Sequence, residues 1–180
     1  MSFPDATKKR DTDKMHLKKK ELKELLAKCW MTHDAMWFYH CLQECGIEKT
    51  NKVNRAAVKT MAAVEIKRLK KAAGVERLET FDEFWDFFRF TMATLTGDFM
   101  KYSFKSKEMN HICGTWHQCF AYEGIKMLGM IDRYECGIMD RVESWFDTLG
   151  IKYEVEPKVT RCMMHAEGRC YRDYTFFFEQ

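Results

Sequence analysis

The chain has 180 residues, 46% hydrophobic and 14% aromatic, enough for one ordinary domain with a real core. No run of about 18 apolar residues occurs, which excludes a membrane-spanning helix, and Met1–Lys14 lacks the apolar segment of a secretory signal. Net charge is +3 but unevenly divided: residues 1–75 hold 17 Lys and Arg against 9 acids, and residues 76–180 hold 13 against 18. A basic half raises nucleic acid as a partner. However, Lys18, Lys19, Lys20, Lys23 and Lys28 are interleaved with Glu21 and Glu24, and no helix-turn-helix, zinc-finger or RNA-binding signature accompanies them. A solvated surface is the expectation, with neither nucleic acid nor membrane as partner.

In chain order, residues 1–14 read as a flexible tail. Met15 to Cys45 is helical, with no Gly or Pro until Gly46 supplies a stop. A second helix is predicted from Asn51 or Asn54 to Ala73, ending at Gly74. Thr80 and Glu83 form a capping-box pair that opens a third, Phe81 to about Thr96, with Phe81, Phe84, Trp85, Phe88 and Met92 at helical spacing. The period then changes. Met100–Ser106 alternates Tyr102 and Phe104 with polar residues, the signature of a half-buried strand, and residues 108–114 continue as a second strand. Phe120–Met130 and Gly137–Leu149 read as helices. Ile151–Arg161 and Tyr171–Phe178 are predicted to pair as a C-terminal β-hairpin, with Pro157 marking an edge or an interruption. The expectation is an α+β fold: N-terminal helices packed on a small antiparallel sheet, one domain over residues 15–180, helical over 15–97 and α+β over 98–180.

Three clusters carry chemistry. Cys136, Cys162 and Cys170 would be gathered if the hairpin forms, and a thiolate cluster suits zinc or another borderline-soft metal. The competing reading is burial, since free cysteine is among the most buried residue types. Without a signal sequence, eight cysteines point to a cytoplasmic chain with reduced thiols. The second cluster is His111-Ile112-Cys113-Gly114-Thr115-Trp116-His117-Gln118-Cys119. It offers Cys113, His117 or Cys119 as a fourth ligand, Cys119 favoured by its place at a helix start. His165 is a further candidate.

The third cluster lies on the first helix. His33, Trp37 and Glu44 share a face beside Asp34, so that a histidine, a large aromatic ring and a carboxylate could orient a planar ligand or act as an acid–base pair. The alternative is an ordinary core helix. Cys29, Cys41 and Cys45 are expected near its core face. No Gly-rich phosphate loop, G-x-S-x-G elbow or H-E-x-x-H occurs.

Cys119, Gly129, Cys136-Gly137 and Arg161-Cys162…Cys170-Tyr171-Arg172-Asp173-Tyr174-Thr175-Phe176 together resemble the C-terminal region of the L-2-amino-thiazoline-4-carboxylate hydrolase family and its uncharacterised bacterial and archaeal relatives. Met31–Phe38 also resembles that group. More distantly, Cys136…Cys162…Cys170 is similar to the zinc site of the 4-vinyl-reductase-like ligand-binding domain, although the glutamate that precedes the second cysteine there is absent here. The resemblance implies a metal-containing hydrolase acting on a small cyclic molecule, with His33 and Asp34 catalytic. Read from the residues themselves, Trp37, Tyr102, Phe104 and Trp116 are expected around the ligand, and Cys119, Cys136, Cys162 and Cys170 on zinc. The alternative is a non-enzymatic sensor for an aromatic or planar molecule with a structural zinc. A homodimer is a further expectation.

Overall fold

The computed structural model describes residues 16–106 and 108–178. The tail expected over residues 1–14 lies outside them. Helix α1 runs Lys19–Ala72 and is two helices joined at Gly46, whose φ of 72° and ψ of 168° break the helical path. A positive φ suits glycine, which has no Cβ to collide with the backbone. Gly46 thus ends the first helix as expected, and the second helix starts at Ile47 rather than at Asn51 or Asn54.

Helix α2 is Phe81–Leu95, opened by the Thr80/Glu83 capping box: Glu83 N–H donates to Thr80 Oγ1 at 3.3 Å and Thr80 N–H to Glu83 Oε2 at 3.1 Å. Strand β1 (Lys101–Lys105) and strand β2 (His111–Gln118) follow, then helix α3 (Phe120–Met127), a 3₁₀ turn (Ile131–Arg133) and helix α4 (Gly137–Leu149). Strand β3 (Lys152–Glu156), the short helix α5 (Met163–Glu167) and strand β4 (Cys170–Phe177) complete the chain. Strand β3 stops at the cis Glu156–Pro157 bond. The four strands form one antiparallel sheet in the order β1-β2-β4-β3. This is the expected α+β architecture, with β3 and β4 adjacent. Strand β2 runs four residues further than expected, so Trp116 and His117 lie on a strand.

The sheet alternates. Ile112, Gly114 and Trp116 of β2 and Cys170, Arg172, Tyr174 and Phe176 of β4 face the helices. Phe84 of α2 and Phe146 of α4 meet Phe176 with ring centroids 4.6 and 5.1 Å apart, and Phe146 lies 5.3 Å from Tyr174. Gly114 is required for packing: a Cβ there would come within 2.6 Å of the Phe104 ring. Tyr102, Phe104 and Trp116, expected around a ligand, belong instead to this core or its edge. Trp116 is buried, Phe104 stacks edge-on to it at 5.4 Å, and Tyr102 Oη bonds Thr96 Oγ1 at 2.8 Å.

The second half of α1 docks on α4 through paired charges. Arg55 bonds Asp140 (2.5 and 3.2 Å) and Glu135 (2.7 Å), and Lys59 lies 3.3 Å from Asp140. Two turns along, Arg141 is bidentate on Glu65 (2.9 and 2.5 Å), and Trp145 Nε1 donates to the same carboxylate at 3.0 Å. Side chains of the Arg141–Glu65 pair are only 12% and 10% exposed, so losing one partner strands a buried charge. Glu65→Ala should therefore lower unfolding free energy by about 3 kcal/mol, read from urea denaturation. A loss near zero would show that Arg141 finds another partner or reaches water.

Candidate functional site

Two adjoining spaces meet at Ala121, Tyr134 and Ile138. The larger is a cleft of about 340 Å³ between both halves of α1, α3 and α4. Met31, Ala35 and Phe38 line it from the first half, and Asn54, Ala57, Val58 and Met61 from the second. Helix α3 contributes Phe120, Gly124, Ile125 and Leu128, and α4 contributes Ile138 and Arg141. The volume falls within the usual range for a small-molecule site, and the lining is chiefly apolar with few polar groups. Asp34 sits on the rim, where burial by its neighbours raises its carboxyl pKa against the pull of Arg141 and His33. Arg141 lies between the rings of Trp30 and Trp145, 5.3 and 5.5 Å from their centroids, with its charge already met by Glu65. Gly124 is mid-helix on the cleft side, and a Cβ there would meet nothing within 4 Å.

The smaller space is a void of about 20 Å³ lined by Cys119, Cys136, Cys162 and Cys170 together with Arg172. Local structure explains the gathering. Glu135 and Arg161 pair in an isolated antiparallel bridge, and the next residue on each strand, Cys136 or Cys162, is the N-cap of α4 or α5. Cys136 N–H donates to the Thr160 carbonyl at 3.0 Å, which ties the two caps together. Cys119 caps α3, and Cys170 opens β4 opposite Trp116. Cys162 thus caps a short helix rather than facing Cys170 across a hairpin end. Burial dominates the thiols: it pushes Cys136 up to about 11 and Cys170 up to about 12, and raises Cys119 and Cys162 as well. Helix-opening amides act the other way, those of Met139 and Ile138 on Cys136 and those of Tyr122 and Ala121 on Cys119. Among the described residues, no three Cys, His, Asp or Glu side chains are set at a spacing that would hold a metal ion.

Arg172 is the residue that sequence reading passed over. Its side chain is 1% exposed, and its Nη1 donates to the Tyr171 carbonyl at 2.8 Å and to Met163 Sδ at 3.3 Å. The available signal was its place on the inward face of β4, in step with Cys170, Tyr174 and Phe176. Cleft and void share a wall made by Ala121, Tyr134 and Ile138. Tyr134 is buried, its Oη accepts from Gly137 N–H at 3.3 Å, and burial holds its phenol pKa well above the ordinary value.

The other expected site residues are dispersed. Of the His33, Asp34 and Trp37 group, only Asp34 reaches the cleft. Trp37 is 63% exposed and donates from Nε1 to His33 Nε2 at 3.1 Å, both on the outward side of α1. His165 bonds Asp132 at 2.7 Å and does not line the void, and His117 bonds Ser103 at 2.9 Å on the exposed face of the sheet. None of the eight cysteines is in a disulfide. Cys29 and Cys45 are exposed, so only Cys41 of the three in α1 is partly covered, contrary to the core-face expectation. No described helix is long and apolar enough to cross a membrane.

Comparison with known proteins gives a family and a fold. No curated protein sequence matches the chain. Among solved structures, trafficking protein particle complex subunit 3 from Naegleria fowleri, covalently bound to palmitic acid, is similar with a TM-score of 0.53 at 13% identity. The match covers 88% of this chain and 98% of that one, and at such identity it shows a shared fold alone. The family model of DUF6125, described as a family of unknown function, matches residues 14–172. The chain belongs to that family.

Proposed function

We propose that this chain is a small-molecule-binding domain of the cytoplasm that acts without turnover and takes an elongated apolar ligand into the cleft between α1, α3 and α4. The observation that carries the reading is the cleft itself: about 340 Å³, chiefly apolar in lining, with Asp34, Asn54 and Arg141 among its few polar groups. The distant fold relative that holds palmitic acid adds support for an acyl-like occupant. No cysteine lines this cleft, so an acyl chain here would be held by contact rather than by a thioester. The hydrolase reading has less behind it, because His33 turns away from the cleft and leaves Asp34 without its acid–base partner there.

Gly124 offers a clean test. Gly124→Leu fills open space on the cleft side of α3 and exchanges a poor helix former for a good one, a gain of up to about 1 kcal/mol in helix propensity. The variant should melt at or above the wild-type temperature yet lose at least tenfold in affinity for Nile red and for palmitate, read by fluorescence titration. Unchanged binding by both probes would overturn the reading.

A second element of the proposal is a structural zinc held by Cys119, Cys136, Cys162 and Cys170. Two observations favour it: four thiols line one small void, and among the described residues the buried Arg172 guanidinium beside them donates to the Tyr171 carbonyl and Met163 Sδ rather than to a carboxylate, with Glu143 acting on it only through its charge. A buried cation is costly without a counter-charge, and a tetrathiolate site would supply one. The thiols would have to draw in around the void to ligate. Bound by four sulfurs with no open position, zinc would supply folding energy rather than a reactive water. Elemental analysis of untagged protein should find about one zinc per chain, and Cys136→Ser or Cys162→Ser should lower both metal content and melting temperature. Because burial raises the pKa of the thiols, ligation must release protons, so retention against a chelator should weaken as pH falls. Metal-free protein with wild-type stability would remove zinc and leave the cleft reading standing.

A further inference from the structure

We propose that the outward face of the first half of α1 pairs antiparallel with the same face of a second copy of this chain. That half packs inward through Ala27, Met31, Phe38 and Leu42. On the opposite side, Leu22, Leu26, Cys29, His33, Met36 and His40 follow one another in alternating steps of four and three, the a/d spacing of a heptad seam, with Met36 also reaching the edge of the cleft. All six are exposed. Leu22 is 45%, Leu26 59% and Met36 49% exposed, and the flanking Leu25 and Trp37 reach 49% and 63%. An apolar stripe three heptads long on an exposed helix marks an interaction surface.

A second copy fits this seam better than other occupants. The strict heptad period is the one another heptad helix matches along its length, by knobs into holes. His40, in mid-seam, would be left without a hydrogen-bond partner in lipid but can hydrogen-bond across a helix pair. Residues 1–14 hold only Met1 and Phe3 as large apolar side chains, too few to cover the stripe. Charge sets the direction. Lys18, Lys19 and Lys20 crowd the N-terminal end and Glu44 lies near the other. A parallel pair would bring the lysines together, whereas an antiparallel pair brings Lys19 of one copy to Glu44 of the other and Leu26 to Met36. The stripe from Leu22 to His40 is about 27 Å long at about 1.5 Å per residue. This places the interface at or below the small end of specific interfaces, which bury about 800 Å² per partner. Dimerisation should therefore depend on concentration.

Sedimentation velocity on the full chain across a concentration series tests the pairing. The expected mass at high concentration is twice the 21.5 kDa of the chain. Leu22→Glu with Leu26→Glu should hold the protein at monomer mass while its circular dichroism and Nile red binding match wild type, since neither leucine lines the cleft. Lys19→Glu should weaken the dimer about fivefold, and adding Glu44→Lys should restore it. A monomer at every concentration overturns the proposal, whether or not it partitions onto anionic vesicles. So does a dimer indifferent to the leucine changes, and a Lys19→Glu loss that Glu44→Lys does not repair removes the antiparallel arrangement.

Discussion

Docking of the second half of α1 on α4 is the contact from which the rest of the site is suspended. It is made by ion pairs as well as by apolar packing, the Glu65–Arg141 pair being the most enclosed. Arg55 holds Asp140 and Glu135, and Glu65 holds Arg141 and Trp145. A buried charge without its partner costs several kcal/mol, so these pairs specify one register between the helices more sharply than apolar contact could. Asn51 extends the line, donating to the Arg133 carbonyl at 2.7 Å and accepting from Glu135 N–H at 3.2 Å. That fixes the segment just before Cys136. The thiol void and the floor of the cleft are thus held in place by the same helix pair.

The bend at Gly46 has the complementary effect. It redirects the first half of α1, which meets α4 at the Trp30–Arg141 contact and leaves the cleft between the two halves. Arg141 closes one end: with its charge met by Glu65 and its faces by Trp30 and Trp145, it presents a satisfied, largely apolar surface to the cleft. Tyr134 stands between cleft and thiols, and its hydroxyl accepts from the first amide of α4. A ligand pressing on Tyr134 would act directly on the N-terminus that Cys136 caps. This shared wall is why occupancy of one space is expected to be felt in the other.

Much of the fold was legible in the sequence because local rules decide it. The Thr80/Glu83 cap, the Phe81–Met92 helical period and the alternation through Tyr102–Phe104 and Tyr171–Phe178 each follow from neighbouring residues. The convergence of Cys119, Cys136, Cys162 and Cys170 was also anticipated, although by a hairpin end rather than by the Glu135–Arg161 bridge that causes it. The cleft was misplaced for a physical reason. Aromatic side chains at strand spacing, such as Phe104 and Trp116, suit a pocket and a core equally, and here the sheet-on-helix core claimed them. Likewise, periodicity shows that His33 and Trp37 share a face but not whether that face turns inward. Arg172 and Glu65 escaped notice because a single charged residue reads as solvent-facing until its tertiary neighbours are known.

The central claim is that an apolar molecule enters between α1, α3 and α4. Methyl-resolved NMR during titration with palmitate tests it most directly, because the cleft and the outward stripe of α1 carry different methyl groups. The account predicts that the Val58, Met61, Ile125, Leu128 and Ile138 signals move together and saturate while those of Leu22 and Leu26 stay fixed. Shifts confined to Leu22, Leu25 and Leu26, or no saturable shift anywhere, would contradict it.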